Sequence, residues 1–343
     1  MTSPIKGRYL LLVVLVLILH IAGIYLYAKG FLITSMELTT KSTCNDPTFT
    51  NTYYASLHPP EKCWTTPIVD KTALYLVDAL RYDFAFTTDF PPRFETITSD
   101  DQLKLYHNNM EVFNVLESEI PAQSGRYHFV PDPPTTTAQR VKAMTTGCVP
   151  AFIEVSNTFN NVVVTEDSLL YQFKKAELRT MFAGDSLWTD MFPDVFEDVS
   201  TGESLDIADW TTADLNCDNA LAKHQKANDF DVMITHFLGV DHIGHYYKPD
   251  HIVMQQKLQQ IDKILNRSLH ELPEKTLAMV FGDHGVTEEG NHGGSTPQEL
   301  DAALFILDKR DKKGSKAEPM QVNQVDIVPT IALAMGLPIP YGS

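Results

Sequence analysis

Apolar runs too continuous to be one-sided alternate along this chain with longer stretches of helical periodicity. Ala73-Leu-Tyr-Leu-Val77, Val232-Met-Ile-Thr-His-Phe-Leu238 and Leu277-Ala-Met-Val-Phe-Gly282 are apolar at nearly every position. That is the pattern of parallel strands covered on both faces, since half-exposed strands alternate. The pattern predicts strands near 73–77, 161–165, 179–184, 231–238, 276–282 and 302–307, and helices near 138–147, 167–177, 211–227, 250–271 and 325–335. Strands alternating with helices in this way predict an α/β fold, a largely parallel central sheet with helices on both faces. Between Pro91 and Pro134 the pattern is less regular, and part of that stretch is a candidate lid. The polar, mixed-charge segment Asp308 to Pro319 reads as a surface loop.

The stretch Tyr9–Ala28 is broken only by His20. At ~1.5 Å per residue it is long enough to cross a hydrocarbon core of about 30 Å. It exceeds the apolar region of a cleaved signal peptide and no small-x-small site follows it, so an uncleaved anchor is expected, with Lys6 and Arg8 cytosolic. The expected organisation is a cytosolic N-terminus over 1–8, a transmembrane anchor over 9–28, an irregular luminal segment over 29–70 punctuated by Asn45-Asp-Pro47 and Pro59-Pro60, and one catalytic domain over 71–343.

Of the 343 residues 43% are hydrophobic and 21% charged, enough to bury a large core, and the net charge of −17 argues against a nucleic-acid partner. Cys44, Cys63, Cys148 and Cys217 lack metal-binding spacing; in an oxidising compartment Cys44–Cys63 and Cys148–Cys217 are the expected pairs. Asn266-Arg-Ser268 is the usable glycosylation sequon.

Against this frame, aspartates and histidines stand where chemistry belongs. Asp78, Asp241 and Asp283 each follow an apolar run, and ligands bind beyond the carboxyl ends of parallel strands, so the three should converge. With His245, His284 and His292 they make six carboxylate and imidazole ligands, a set that suits two zinc ions, with manganese or another divalent ion also compatible. His292 lies in the glycine-rich Gly290-Asn-His-Gly-Gly294, and His242 is a packing or supporting group. After Pro133-Pro134, one of Thr135, Thr136 and Thr137 should begin the helix running to Gly147. A hydroxyl there meets unpaired N–H groups that favour an anion, and Thr137 is the candidate nucleophile, plain N-capping being the simpler role for the run.

The segments Leu76-Val-Asp-Ala-Leu-Arg-Tyr-Asp83, Pro134-Thr-Thr-Thr-Ala-Gln-Arg140, Leu238-Gly-Val-Asp-His-Ile-Gly-His245 and Gly282-Asp-His-Gly285 resemble, in order, the alkaline-phosphatase superfamily. More narrowly they resemble the glycosylphosphatidylinositol ethanolamine-phosphate transferases, and Thr145-Thr-Gly147, Gly184-Asp185, Trp188 and Phe192-Pro193 point to the third type. The resemblance implies Asp78, Thr137, Asp283 and His284 on one zinc, with Thr137 as nucleophile, and Asp241, His245 and His292 on the other. It further implies transfer of phosphoethanolamine from phosphatidylethanolamine to a mannose, the third, of the glycosylphosphatidylinositol precursor. A small hydrophobic membrane subunit as partner and a location in the endoplasmic reticulum membrane with the catalytic domain luminal follow from the same likeness. That family continues into many membrane-spanning helices, so a sequence ending at Ser343 reads as a fragment, a short isoform or a protein working without them. A membrane-anchored metal-dependent phosphodiesterase or nucleotide pyrophosphatase would need the same ligands and is the alternative.

Overall fold

The computed structural model describes residues 4–31, 38–46, 63–86, 104–149, 163–203, 205–310 and 318–343. Helix α1 (Pro4–Phe31) contains a span, Gly7–Gly30, long and apolar enough to cross a membrane. The body follows as β1 (Lys71–Val77), α2 (Tyr82–Ala85), α3 (Val112–Glu119), β2 (Ser124–Val130), α4 (Thr137–Thr146), α5 (Leu169–Lys175), β3 (Thr180–Asp185), α6 (Leu187–Met191) and β4 (Asp198–Gly202). Then come α7 (Thr212–Ala227), β5 (Val232–Phe237), α8 (Gly239–Tyr247), α9 (Ile252–Glu271), β6 (Thr276–Phe281), β7 (Ala302–Asp308), β8 (Met320–Asn323), a 3-10 turn (Gln324–Asp326) and α10 (Ile327–Ala334).

One eight-stranded sheet runs β4-β3-β5-β1-β6-β7-β2-β8. The first five strands are parallel, and β7 runs antiparallel to both β6 and β2. Because successive side chains leave a strand on opposite faces, the apolar run of β1 feeds two cores. Ala73, Tyr75 and Val77 pack with Cys217 and Leu221 of α7, Leu258 and Leu265 of α9 and Phe113 of α3. Leu74 and Leu76 pack with Val141 of α4, Phe173 of α5 and Ile331 of α10. Coverage on both faces is why these strands read as unbroken hydrophobic runs.

Several sequence expectations need correction. Residues 163–165 are not strand, and the rest of that expected element lies outside the described residues. Residues 124–130, inside the Pro91–Pro134 stretch, form β2 between β7 and β8; residues 91–103 of that stretch lie outside the described residues, as do 311–317 of the expected surface loop. Cys44 and Cys63 form a disulfide. Cys148 and Cys217 do not pair with each other: Cys217 is buried in α7 with its thiol donating to the Ala183 carbonyl at 3.3 Å, and Cys148 follows α4. The sequon lies within α9, where Asn266 is exposed but the Ser268 hydroxyl is buried against Tyr75 Oη at 2.8 Å.

Candidate metal centre

The carboxyl ends of β1, β5 and β6 lie side by side, and each hands its next residues to the same place. Asp78 N–H donates to the Phe237 carbonyl at 2.9 Å, carrying the β1–β5 ladder one residue past the strand. Ala79 then turns through φ +58°, a region a Cβ makes costly, and its N–H reaches Asp283 Oδ1 at 3.1 Å. Gln324 fixes the end of β6 from the other side, its amide donating to the carbonyls of Gly282 (3.2 Å) and Asp283 (2.5 Å).

Asp241 and His245 lie one turn apart on α8, an i,i+4 pair sharing a face. The start of α8 is held by Asp214 from α7, whose Oδ1 accepts from the N–H groups of Leu238 (3.0 Å) and Gly239 (3.1 Å) and whose Oδ2 meets Lys257 Nζ of α9 at 2.7 Å. Loop residue His292 donates from Nδ1 to the Thr135 carbonyl at 2.9 Å, while Gly293 N–H donates to Thr135 Oγ1 at 2.9 Å. The glycine-rich loop is thereby tied to the threonine run.

The residues expected from the sequence gather into two groups, Asp78 with Asp283 and His284, and Asp241 with His245 and His292. In the first, His284 Nε2 lies 3.4 Å from Asp78 Oδ1 and 3.2 Å from Asp283 Oδ2. In the second, Asp241 places Oδ2 3.4 Å from His245 Nε2 and Oδ1 3.4 Å from His292 Nε2, with the two Nε2 atoms 3.0 Å apart. The His284 and His292 rings stack at 3.9 Å and join the groups. Thr137 opens α4, half-buried, with Oγ1 3.5 Å from His284 Nε2. It lines a cavity of about 420 Å³ together with Asp78, Asp241, His245, His292 and His242. The threonine run does not cap the helix by side chain: the N-cap is Thr136, and its hydroxyl donates to Gln139 instead.

The donor set fits divalent cations. Asp78 Oδ1, Asp241 Oδ1 and Asp283 Oδ2 are buried and accept no aligned hydrogen bond among the described residues, an expensive state for carboxylate oxygens unless a cation compensates them. Carbonyl oxygens only accept, so Nδ1 of His284, 3.0 Å from the Gly285 carbonyl, and Nδ1 of His292 both carry hydrogen. When neutral, both rings therefore turn an Nε2 lone pair into the cluster. Burial and the neighbouring carboxylates of Asp283 and Asp241 push Asp78 well above the usual carboxylate range. Burial also pushes Asp241 upward, but His292, His245 and His284 together outweigh it and hold that carboxyl below its usual range. Burial drives the His284 imidazole well down.

Other polar groups surround the site, and for His242 the structure gives the supporting place the sequence suggested. His242 is buried, with Nδ1 donating to the Asp209 carbonyl at 2.8 Å. Arg140, on α4, is wholly enclosed, and its guanidinium makes no aligned hydrogen bond among the described residues; burial pulls its pKa down to about 10 against the carboxylates of Asp132 and Asp283. His236 is buried beside Asp78; its signal in the sequence is a histidine inside an otherwise apolar strand.

The chain is similar to known proteins over most of its length. A profile of the family described as type I phosphodiesterase / nucleotide pyrophosphatase matches residues 127–304, more than half of the chain. GPI ethanolamine phosphate transferase 3, catalytic subunit, from Homo sapiens is 37% identical over 98% of this chain and 31% of its own length. GPI ethanolamine phosphate transferase 3 of Schizosaccharomyces pombe is 33% identical over 96% of this chain and 35% of its own. The chain therefore spans about a third of the length of the curated relatives it matches. Among solved structures, the lipoteichoic acid synthase LtaP from Listeria monocytogenes superposes with a TM-score of 0.57 at 11% identity, covering 89% of this chain and 79% of that one. With its alkaline-phosphatase-like fold and its likeness to the GPI ethanolamine phosphate transferases, the chain belongs to the type I phosphodiesterase / nucleotide pyrophosphatase family.

Proposed function

We propose that the chain carries the catalytic site of a phosphoethanolamine transferase, taking the group from phosphatidylethanolamine onto Thr137 and passing it to the 6-hydroxyl of a mannose, the third, in a glycosylphosphatidylinositol precursor. The observation that carries this reading is the Thr137 hydroxyl at the first turn of α4, 3.5 Å from His284 Nε2 and lining the same cavity as Asp78, Asp241, His245 and His292. In the first half-reaction Thr137 gives up its hydroxyl proton, an Oγ1–phosphorus bond forms, and the ester bond to the glycerol oxygen breaks, releasing diacylglycerol with a proton. In the second, the mannose hydroxyl loses its proton, takes the phosphorus and restores the threonine hydroxyl. The unpaired N–H groups of the first turn of α4 face the phosphate oxygens throughout. Asp78, Asp283 and His284 with Thr137 would hold one zinc, and Asp241, His245 and His292 a second; bound there, such ions lower the pKa of a hydroxyl and balance the phosphate charge.

The test is zinc stoichiometry together with labelling by phosphatidylethanolamine carrying radiolabelled ethanolamine, wild type against Thr137→Ala. Two zinc ions and a covalent label are expected in wild type. In Thr137→Ala the metal stays and turnover falls at least about 10³-fold, with no label. A chain that binds no metal, or a label that survives the substitution, contradicts the reading. The family match also supports a second reading, hydrolysis of a nucleotide ester at the same residues; release of nucleoside monophosphate without any glycan acceptor favours it. On the transferase reading the chain works in the endoplasmic reticulum membrane, anchored by α1 with its catalytic body luminal and with a small hydrophobic subunit as partner.

A further inference from the structure

His236 stands between two groups that determine where its proton sits. It is fully buried on β5, opposite Leu76 in the β1 register, and the Gly184 backbone packs directly on its carbonyl. Trp188 of α6 donates its indole N–H to His236 Nδ1 at 3.0 Å. An indole nitrogen only donates, so Nδ1 carries no hydrogen and the imidazole is the neutral tautomer with its proton on Nε2. Asp185 Oδ2, 3.8 Å from Nδ1, would draw the proton to that nitrogen. The nearer indole hydrogen opposes it, and the other Asp185 oxygen is taken by Leu187 N–H at 2.8 Å. His236 Nε2 has no aligned hydrogen-bond partner among the described residues, and the oxygen facing it is Asp78 Oδ2 at 3.3 Å. The two oxygens of Asp78 are thus divided, Oδ2 towards His236 and Oδ1 towards His284 Nε2 at 3.4 Å.

We infer that Trp188 and His236 are positioning residues: the indole fixes the His236 tautomer, and His236 Nε2–H in turn orients Asp78 so that Oδ1 is presented to a divalent cation shared with Asp283 and His284. This inference rests on the metal reading of that cluster. It also assigns His236 a role that proximity alone would get wrong. A histidine 3.3 Å from a candidate ligand is easily taken for another ligand; coordination needs a lone pair on Nε2, and the indole hydrogen on Nδ1 keeps a proton there. Groups that orient a metal-binding side chain in this way characteristically alter affinity without touching the ion.

The experiment is zinc affinity and stoichiometry of the full chain in detergent, by competition with a chromogenic chelator, for wild type, Trp188→Phe, His236→Gln and His236→Leu, with the melting temperature of each metal-free form. A glutamine amide carries an acceptor and a donor in the order His236 uses, an oxygen for the indole and an N–H for Asp78. Trp188→Phe and His236→Leu are expected to lose about 10–100-fold in affinity at one of two sites, with the other site unchanged and His236→Gln within a few-fold of wild type. Wild-type affinity in Trp188→Phe overturns the inference, and tighter binding there means that Nε2 has become a ligand and overturns it too. So does a His236→Gln protein as weak as His236→Leu while its metal-free form melts with wild type. If His236→Leu does not fold, Trp188→Phe and His236→Gln decide between these outcomes. A wild-type chain that binds no zinc removes the metal reading itself, a result separate from wild-type binding with insensitive variants.

Discussion

At Gly184 the backbone adopts φ +132°, and a Cβ there would run into the carbonyl of His236. Neither partner is a flexible side chain end, so Gly184→Ala is expected to destabilise the fold by about 1–3 kcal/mol, measured by urea unfolding, and to displace His236 with it. Single residues are also where sequence reading of the site succeeds or fails. Asp78 and Asp283 stand out because a carboxylate closing an apolar strand has no packing reason to be there. Both lie in the first cluster. His236 does not stand out, since one histidine in a strand is more often core, and its meaning comes from Trp188, distant in sequence and 3.0 Å away in space. Arg140 is visible in the motif, but its complete enclosure is not, because burial depends on how α4 packs against α10.

Among the elements, α8 carries two of the six carboxylate and imidazole candidates and is one of the helices the sequence pattern hides, with Gly239 and Gly244 inside nine residues. Glycine lowers helix propensity by about 1 kcal/mol relative to alanine, so local preference is against it and tertiary capping must stabilise it. The capping group is Asp214, buried and paired with Lys257. Asp214→Asn leaves the Lys257 charge unpaired in the interior and is expected to cost about 3–5 kcal/mol. Thermal unfolding should record that loss, and on the proposed metal reading zinc analysis should record weaker binding at the Asp241–His245–His292 group. Strand β2 escapes the sequence for a different reason: Ser124-Gly-Arg-Tyr-His-Phe-Val130 is a mixed polar run, and Arg126 turns to Glu117 of α3 instead of into the core. The strands buried along nearly their whole length, β1, β3, β5, β6 and the antiparallel β7, are legible; β2 and the more exposed edge strands β4 and β8 are not.

For the whole molecule, α1 and the body make separate predictions. Removal of residues 1–31 should release the chain from membranes without detergent, whereas the intact chain should resist alkaline extraction; sedimentation distinguishes them. The Cys44–Cys63 bridge joins positions 19 residues apart in sequence, and Ser42 beside it docks on the body, its N–H donating to Asp167 Oδ2 at 2.7 Å. Replacing both cysteines by serine should cost up to about 3 kcal/mol, read by chemical unfolding. The sheet order has a further consequence. Asp78 follows β1 and Asp241 follows β5, yet one group lacks members until His284 is synthesised and the other until His292. A growing chain therefore has no complete cluster until β6 has been made and the parallel core can already close. A cation bound there arrives late in synthesis and cannot template the early steps of folding. Metal shortage is then expected to yield a folded, empty and inactive protein that regains its ions when they are supplied, in contrast to small metal-nucleated domains, which unfold without theirs.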